Sequence, residues 1–399
     1  MRKLFTILIS LMLITACERQ KTSSPQNYLH VIDLDKTKPE ILLSELFESV
    51  TPIALETTEE SLIGRIDKII VTDEYIMVFD LWIAKSLLLF KRDGSFVRKI
   101  GHKGGGPGEY SSISDFCYDN TTGTVYVLDH NSNRVYLYNI HTNSFLKSIQ
   151  LSDNGISRHV YHQNGELYTD LSAFKNKNEQ YLLNRRNQVT GSIEEAWLDL
   201  ETYSKNIDLI GGSPFLFGKP FLFGDGNSFK FNTTFMEGIM SFEKGKITPF
   251  LAFTPKYTLN MNDLKKVDII NIESVLDLDK TNKVFNITYY FEHKDLIFLN
   301  FWHGSFQKTL VYNQKTRDSR HVNEFNDLIY KGKNSDFRQD FEFIAQDNNG
   351  LFGRSPDVRT IKELLENNLI SDNFKNAAIE LSKLEEDANP ILLYYKFKD

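Results

Sequence analysis

The sequence predicts an all-β fold: a six-bladed β-propeller of four-stranded antiparallel blades, its ring closed by an N-terminal strand, with a helical insertion in the last blade. Three observations point there. Short apolar runs of strand length recur in groups of four along most of the 399 residues, parted by turn dipeptides such as Asp93-Gly94 and Asn164-Gly165, which readily take the positive φ of tight hairpins. The stretch from Ile100 to Asn139 sets a glycine-rich loop ahead of the strand patterns VYVLD and RVYLYN, the cadence of one blade. The last group lacks a fourth strand, which Thr51–Glu56 (TPIALE) near the start can supply. Closure of that kind leaves no open edge to template aggregation. Length alone would suggest two or three domains, but blades add to a single ring.

The chain opens with Arg2, Lys3 and a charge-free apolar run from Leu4 to Ala16. The run is shorter than the about 20 residues that span a bilayer and suits a signal peptide, residues 1–16. It ends in Ile14-Thr15-Ala16-Cys17, which resembles a bacterial lipobox; the resemblance implies cleavage before Cys17 and a diacylglyceryl group on its thiol. Each buried CH₂ contributes about 0.8 kcal/mol, so several acyl chains hold a soluble domain on a membrane. With Cys17 acylated, Cys117 has no partner for a disulfide within the chain. The polar residues that follow read as a flexible tether, 17–48, leading into a propeller over 49–399. An acidic run behind the cysteine would favour display on the outer surface. Only Glu18 is acidic before Asp33, so the side of the outer membrane stays open.

The first blade is read in Lys68–Val71, Tyr75–Phe79, Leu87–Phe90 and Phe96–Ile100. The second runs through Ile113–Tyr118, Thr124–Leu128, Arg134–Tyr138 and Phe145–Ile149. Later blades are less regular, but the pattern returns in Val160–Leu171, in Ile239–Phe250, and in a fifth blade over Val284–Phe291, Leu296–Phe301, Lys308–Tyr312 and Arg320–Val322. The sixth starts at Phe341–Ala345 and ends at Ile391–Phe397. Inside it, Asp357–Leu369 and Asp372–Glu386 carry apolar residues at helical spacing, with Asp357 placed as an N-cap, and form a helical insertion over about 357–387. A weaker insertion spans about Thr254–Asn282.

Together with the N-terminus, these features resemble the six-bladed β-propeller lipoproteins of Bacteroidetes-type bacteria, relatives of the NHL-repeat propellers. The loop GHKGGGPGE resembles that family's blade-junction loop, with Gly104, Gly106, Pro107, Gly108 and Glu109 matching. A strand, not a helix, follows it, so no helix N-terminus awaits a phosphate. Asp129-His-Asn-Ser-Asn-Arg134 resembles the NHL-type turn, which implies a structural ion pair between Asp129 and Arg134. Asp80 and Lys85 occupy the same places in the first blade.

Propeller topology puts Leu81–Lys85, Gly101–Tyr110, His130–Asn133, Trp302–Ser305 and the helical insertion on one face, here called the top. Loops on a rigid scaffold carry binding, so the candidate ligand-binding residues are Trp82, His102, His130, Arg134, Trp302 and His303. Indoles stack on sugar or aromatic faces and anchor interfaces. Three histidines can hold zinc, but these come from different blades without ligand spacing, and no metal or cofactor is expected. The formal charge of −7 excludes a nucleic-acid binder built on clustered Lys and Arg. The expected function is a membrane-anchored envelope lipoprotein that binds a glycan, peptide or partner protein without catalysis. The alternatives are an envelope hydrolase or lyase, and a structural subunit of an envelope complex. No GxSxG elbow or zincin helix supports catalysis. The partners are a lipid bilayer through acylated Cys17 and the top-face ligand, with a monomeric domain.

Overall fold

The computed structural model describes residues 27–398 apart from 153–154, 175–179, 204–218, 225–227, 234–235, 260–262, 264–281, 305, 324 and 332–341. Six four-stranded antiparallel blades follow one another along the chain. The first comprises Lys68–Val71, Tyr75–Asp80, Ser86–Lys91 and Phe96–Lys99, and the second Ile113–Asp119, Thr124–Asp129, Arg134–Asn139 and Phe145–Gln150. The third comprises Val160–Gln163, Glu166–Asp170, Tyr181–Arg186 and Ile193–Asp199, and the fourth Phe221–Gly224, Ser228–Phe231, Gly238–Glu243 and Lys246–Phe253. The fifth is Val284–His293, Leu296–His303, Phe306–Asn313 and Ser319–Val322. The sixth takes Phe343–Asp347, Gly350–Arg354 and Ile391–Phe397 from the C-terminal part and Phe47–Ala54 from the N-terminal part, with Ile391 opposite Ala54 and Phe397 opposite Phe47. The ring is therefore closed as the sequence predicts. Phe341, the expected start of that blade, lies outside the described residues, as do Cys17 and most of the segment Thr254–Asn282.

The middle strands show why the chain reads as continuous apolar runs. In Ser86–Lys91, Leu88 and Phe90 join Ile76 and Val78 in the cluster shared with the sixth blade, while Leu87 and Leu89 join Met77 and Phe79 in the cluster shared with the second. Successive side chains alternate across the sheet, and here both faces are buried. The core is thus divided into wedges, one at each blade junction. Cys117 is buried in the wedge between blades two and three, and burial pushes its thiol pKa up.

The tether assigned to 17–48 ends earlier than expected. His30–Ile32 runs parallel to the outer strand of blade four, with His30 opposite Leu251, and Lys38–Ile41 runs parallel to that of blade five. A helical turn, Leu43–Leu46, then leads into the closing strand. Ile32, Ile41 and Leu43 are buried in the wedges on either side of blade five, which fixes this strap. Each apolar run in it is only two or three residues long between charged neighbours, too short to show a period.

Val358–Glu366 and Lys375–Leu381 form the insertion between the second and third strands of blade six. Asp357 caps the first helix by accepting from the Thr360 amide at 2.7 Å. Val358, Ile361, Leu364, Phe374 and Ala378 close the wedge between blades five and six.

Candidate functional site

The top loops of the first three blades are built around buried aspartates at the ends of the second strands. Asp80 accepts from Gly64 N and Arg65 N at 2.8 and 2.9 Å, and from Trp82 N and Ile83 N at 3.2 and 2.8 Å. One carboxylate so fastens the loop arriving from blade six to the turn leaving its own strand. Asp129 repeats the device with the amide and hydroxyl of Ser111 at 2.7 and 2.8 Å and the amides of Asn131 and Ser132 at 3.0 and 3.2 Å. Burial would raise both carboxyls, but these donors hold them below the usual carboxylate range. The expected Asp129–Arg134 ion pair is corrected by the same geometry: Arg134 donates instead to Ser148 Oγ at 3.0 Å and Gln150 Oε1 at 2.7 Å. A buried carboxylate already filled by backbone donors needs no guanidinium.

Asp170 varies the device. One oxygen takes the amides of Arg158 and His159, both at 2.8 Å; the other takes His159 Nδ1 at 2.8 Å and the Ser172 hydroxyl. Sequence reading missed this pair because His159 precedes one strand and Asp170 ends the next, outside any motif.

The glycine-rich loop is closed on itself. Gly104 N donates to Tyr110 O at 3.0 Å, Glu109 N to Gly106 O at 3.0 Å, and Gly106 N to the Glu109 carboxylate at 2.7 Å. A side chain on Gly104 would run into that carboxylate. Tyr138 Oη holds Gly108 O at 2.8 Å, which pins the loop to blade two. Pro107 stands exposed between them. With the Gly104, Gly106 and Glu109 amides engaged and the Glu109 carboxylate already folded back onto Gly106 N, the loop is built as a junction and not as a phosphate cradle.

The top-face candidates do not converge. His102 is exposed in the loop. His130, in blade two, is half-buried with Nδ1 lacking a hydrogen-bond partner, and burial with the Arg158 charge lowers its pKa. His303 lies in blade five, on the opposite side of the ring, with Nε2 3.2 Å from Asn282 O and its ring edge-on to Tyr257. Trp302 and His303 end the strand Leu296–His303 and do not stand in a loop, and Trp302 is half-buried. Trp82 differs: it is 61% exposed, beside Ile83 at 66% and Leu62 at 53%. Ile83 packs onto Gly64, so these residues share the patch over the junction of blades six and one.

A family model for a domain of unknown function, DUF4934, matches residues 29–396. The chain belongs to this family. Its first matched residue coincides with the start of the N-terminal strap, so the family domain includes the ring and its closure. Among solved structures, a Bacteroides fragilis protein described as exported is 20% identical, with a TM-score of 0.71 over 92% of this chain and 100% of that one. A DUF4221 family member from Bacteroides vulgatus is 10% identical, with a TM-score of 0.49 over 88% and 97% of the two chains. The extracellular domain of a one-component system from B. thetaiotaomicron is 10% identical, with a TM-score of 0.40 over 78% of this chain and 36% of that one. A search of the curated proteins finds no match.

On the face opposite the aspartate-fastened loops, a cavity of about 370 Å³ opens between blades three and four, walled by Tyr168, Trp197 and Phe242. Sequence reading passed over Trp197 because it sits in an outer strand, away from the elaborated loops.

Proposed function

We propose that this chain is an exported propeller, held on an envelope membrane through acylated Cys17, that binds a partner protein or peptide through its top face without catalysis. The observation that carries the reading is the Leu62, Trp82 and Ile83 patch. The turn bearing Trp82 and Ile83 is fixed by amide bonds to buried Asp80, so two large apolar side chains are held in water by a rigid support. Exposed apolar clusters of this kind mark interaction surfaces. Projecting side chains suit a protein or peptide surface, whereas small ligands are held in concave sites. The signal-like N-terminus and the likeness to an exported Bacteroides fragilis protein support the location.

Two measurements test the reading. Cys17→Ser should move the full chain from the membrane fraction to the soluble fraction. Trp82→Ala combined with Ile83→Ala should remove a stoichiometric partner captured from solubilised membranes while Tm stays the same; retention of the partner sinks the top-face assignment.

A hydrolytic alternative has one observation in its favour, the His159–Asp170 pair, since a carboxylate on Nδ1 is how a general base is oriented. Ser172 bonds to the carboxylate and not to the imidazole, so no triad nucleophile is set up. Hydrolysis of ester or glycoside substrates by the purified domain that vanishes in His159→Ala would replace the binding reading with this one.

A further inference from the structure

The exposed residues Leu62, Trp82 and Ile83 stand beside a collar of carboxylates that distant parts of the chain assemble. Asn389, buried at the end of the helical insertion, ties that insertion to the loop ahead of blade one. Its Oδ1 accepts from Ile63 N at 2.8 Å, its Nδ2 donates to Glu56 O and Ser61 O, both at 2.8 Å, and its amide donates to Thr57 Oγ1 at 2.8 Å. On one side of this tie the turn Thr58–Ser61 carries Glu59 and Glu60 into solvent, directly ahead of Leu62. On the other side Glu385, Glu386 and Asp387 are exposed just before Asn389. The same loop continues into Gly64 and Arg65, whose amides share the Asp80 carboxylate with those of Trp82 and Ile83. Acidic collar and apolar patch therefore belong to one fastened surface.

The collar is not neutralised from within. Arg65 is held by Asp67 at 2.9 Å, and Arg359 and Lys362 both by Glu386, at 3.3 and 3.7 Å. Glu59, Glu60, Glu385 and Asp387 make no ion pair among the described residues. Facing them is Lys85, exposed two residues beyond Ile83. Carboxylates in water cost the fold little, but they choose what can approach the apolar residues between them. An anionic lipid surface is repelled, as is an acidic partner. Trp82, 61% exposed, presents an indole to the approaching surface, and indole is the strongest of the side-chain rings for holding a cation. A guanidinium suits it best, being weakly hydrated and planar.

We infer that the partner docks through an apolar segment studded with arginine: aliphatic side chains on Leu62 and Ile83, a guanidinium over Trp82, and further cations toward Glu59 and Glu60 on one side and Glu385 and Asp387 on the other. The inference rests on the top-face reading above and adds to it the charge of the partner.

The test uses the full chain in non-ionic detergent, with empty micelles as the blank. Three labelled ten-residue peptides, alternating Leu with Arg, with Gln or with Glu, are titrated by fluorescence anisotropy at low and at physiological salt. The Arg peptide is expected to saturate below about 100 μM and to bind about tenfold or more tightly than the Gln peptide, a preference that shrinks as salt rises. Glu59→Lys combined with Glu60→Lys, at exposed positions that leave cooperative unfolding intact, should erase that preference. Lys85→Glu should strengthen Arg-peptide binding about threefold. The inference is overturned if the Arg peptide does not saturate below about 1 mM, if the Gln or Glu peptide binds as tightly, or if the double lysine variant keeps the preference. Those results leave the top-face reading standing as long as Trp82→Ala with Ile83→Ala still removes the partner captured from membranes; if that pair of substitutions changes neither capture nor peptide affinity, both fall.

Discussion

The junction between blades two and three and the junction between blades three and four meet the same packing problem with different turns. In the first, the Asn187–Ser192 turn of blade three seats on the end of blade two's outer strand, with Gly191 against Gln150 O. In the second, Lys244-Gly245 stops short and leaves a cavity lined by aromatic side chains. In a ring of repeats, the place where a repeated contact is omitted is as informative as the place where a loop is added.

That comparison can be broken directly. Gly191→Ala should cost about 3 kcal/mol or more, because φ of +72° already disfavours a side chain and the new Cβ meets a backbone carbonyl. Gly245→Ala, with φ of +77° but open space, should cost only about 1 kcal/mol. Urea unfolding of the two variants decides it, and equal costs would mean that the seated turn is not what closes the second junction.

Junctions fastened by aspartate should be the next most sensitive. Asp129→Ala should lose about 2–4 kcal/mol, since the Ser111, Asn131 and Ser132 amides lose their buried acceptor. Asp80, Asp129 and Asp170 all titrate below the ordinary carboxylate range when folded. Their contribution is therefore complete above the unfolded carboxylate pKa of about 4 and is lost as pH falls through the depressed values. The urea midpoint should decline from neutral pH through about 6, where the unfolded chain protonates histidines that burial keeps neutral in the fold, such as His130 and His303, and should drop further below about 4 as the aspartates protonate. A midpoint unchanged at low pH would show that these carboxylates do not support the fold. The smallest effect belongs to the exposed patch, where Trp82→Ala and Ile83→Ala should each stay within about 0.5 kcal/mol of wild type; a larger loss in thermal unfolding would make them packing residues.

Blades one and two are legible in the sequence because their middle strands are buried on both faces and turn residues punctuate them. The outer half of blade three is not. Tyr181–Arg186 and Ile193–Asp199 mix charges with apolar residues, since Arg186 is buried on Thr169 Oγ1 while Arg185 gathers glutamates at the surface. The strap at His30–Ile41 is hidden for a related reason: it docks through isolated residues, Ile32 and Ile41 with the buried His30, and charged residues lie beside the two isoleucines. The functional reading followed long loops to the top face, where Trp82 is indeed exposed, but the histidines there sit in blades two and five. The gap below leaves no such mark. Asn139-Ile-His-Thr, Asn187-Gln-Val-Thr and Asn313-Gln-Lys-Thr form a recurring turn signal that Glu243–Lys246 lacks, but the turn around Gly94, seated against Ala54 O, lacks it too, so the cavity is not legible in the sequence.

The strap also sets an order of events for a chain made from its N-terminus. His30–Ile41 and Phe47–Ala54 emerge first, yet their partners lie in Lys246–Phe253, Ser319–Val322 and Ile391–Phe397, which emerge later, the last of them at the very end. The leading segment must wait unpaired through most of the synthesis. Pairings between distant parts of a chain form slowly, so ring closure is the late step of folding. The seam at Ile391–Phe397 then decides when the newborn protein stops being a target for proteases.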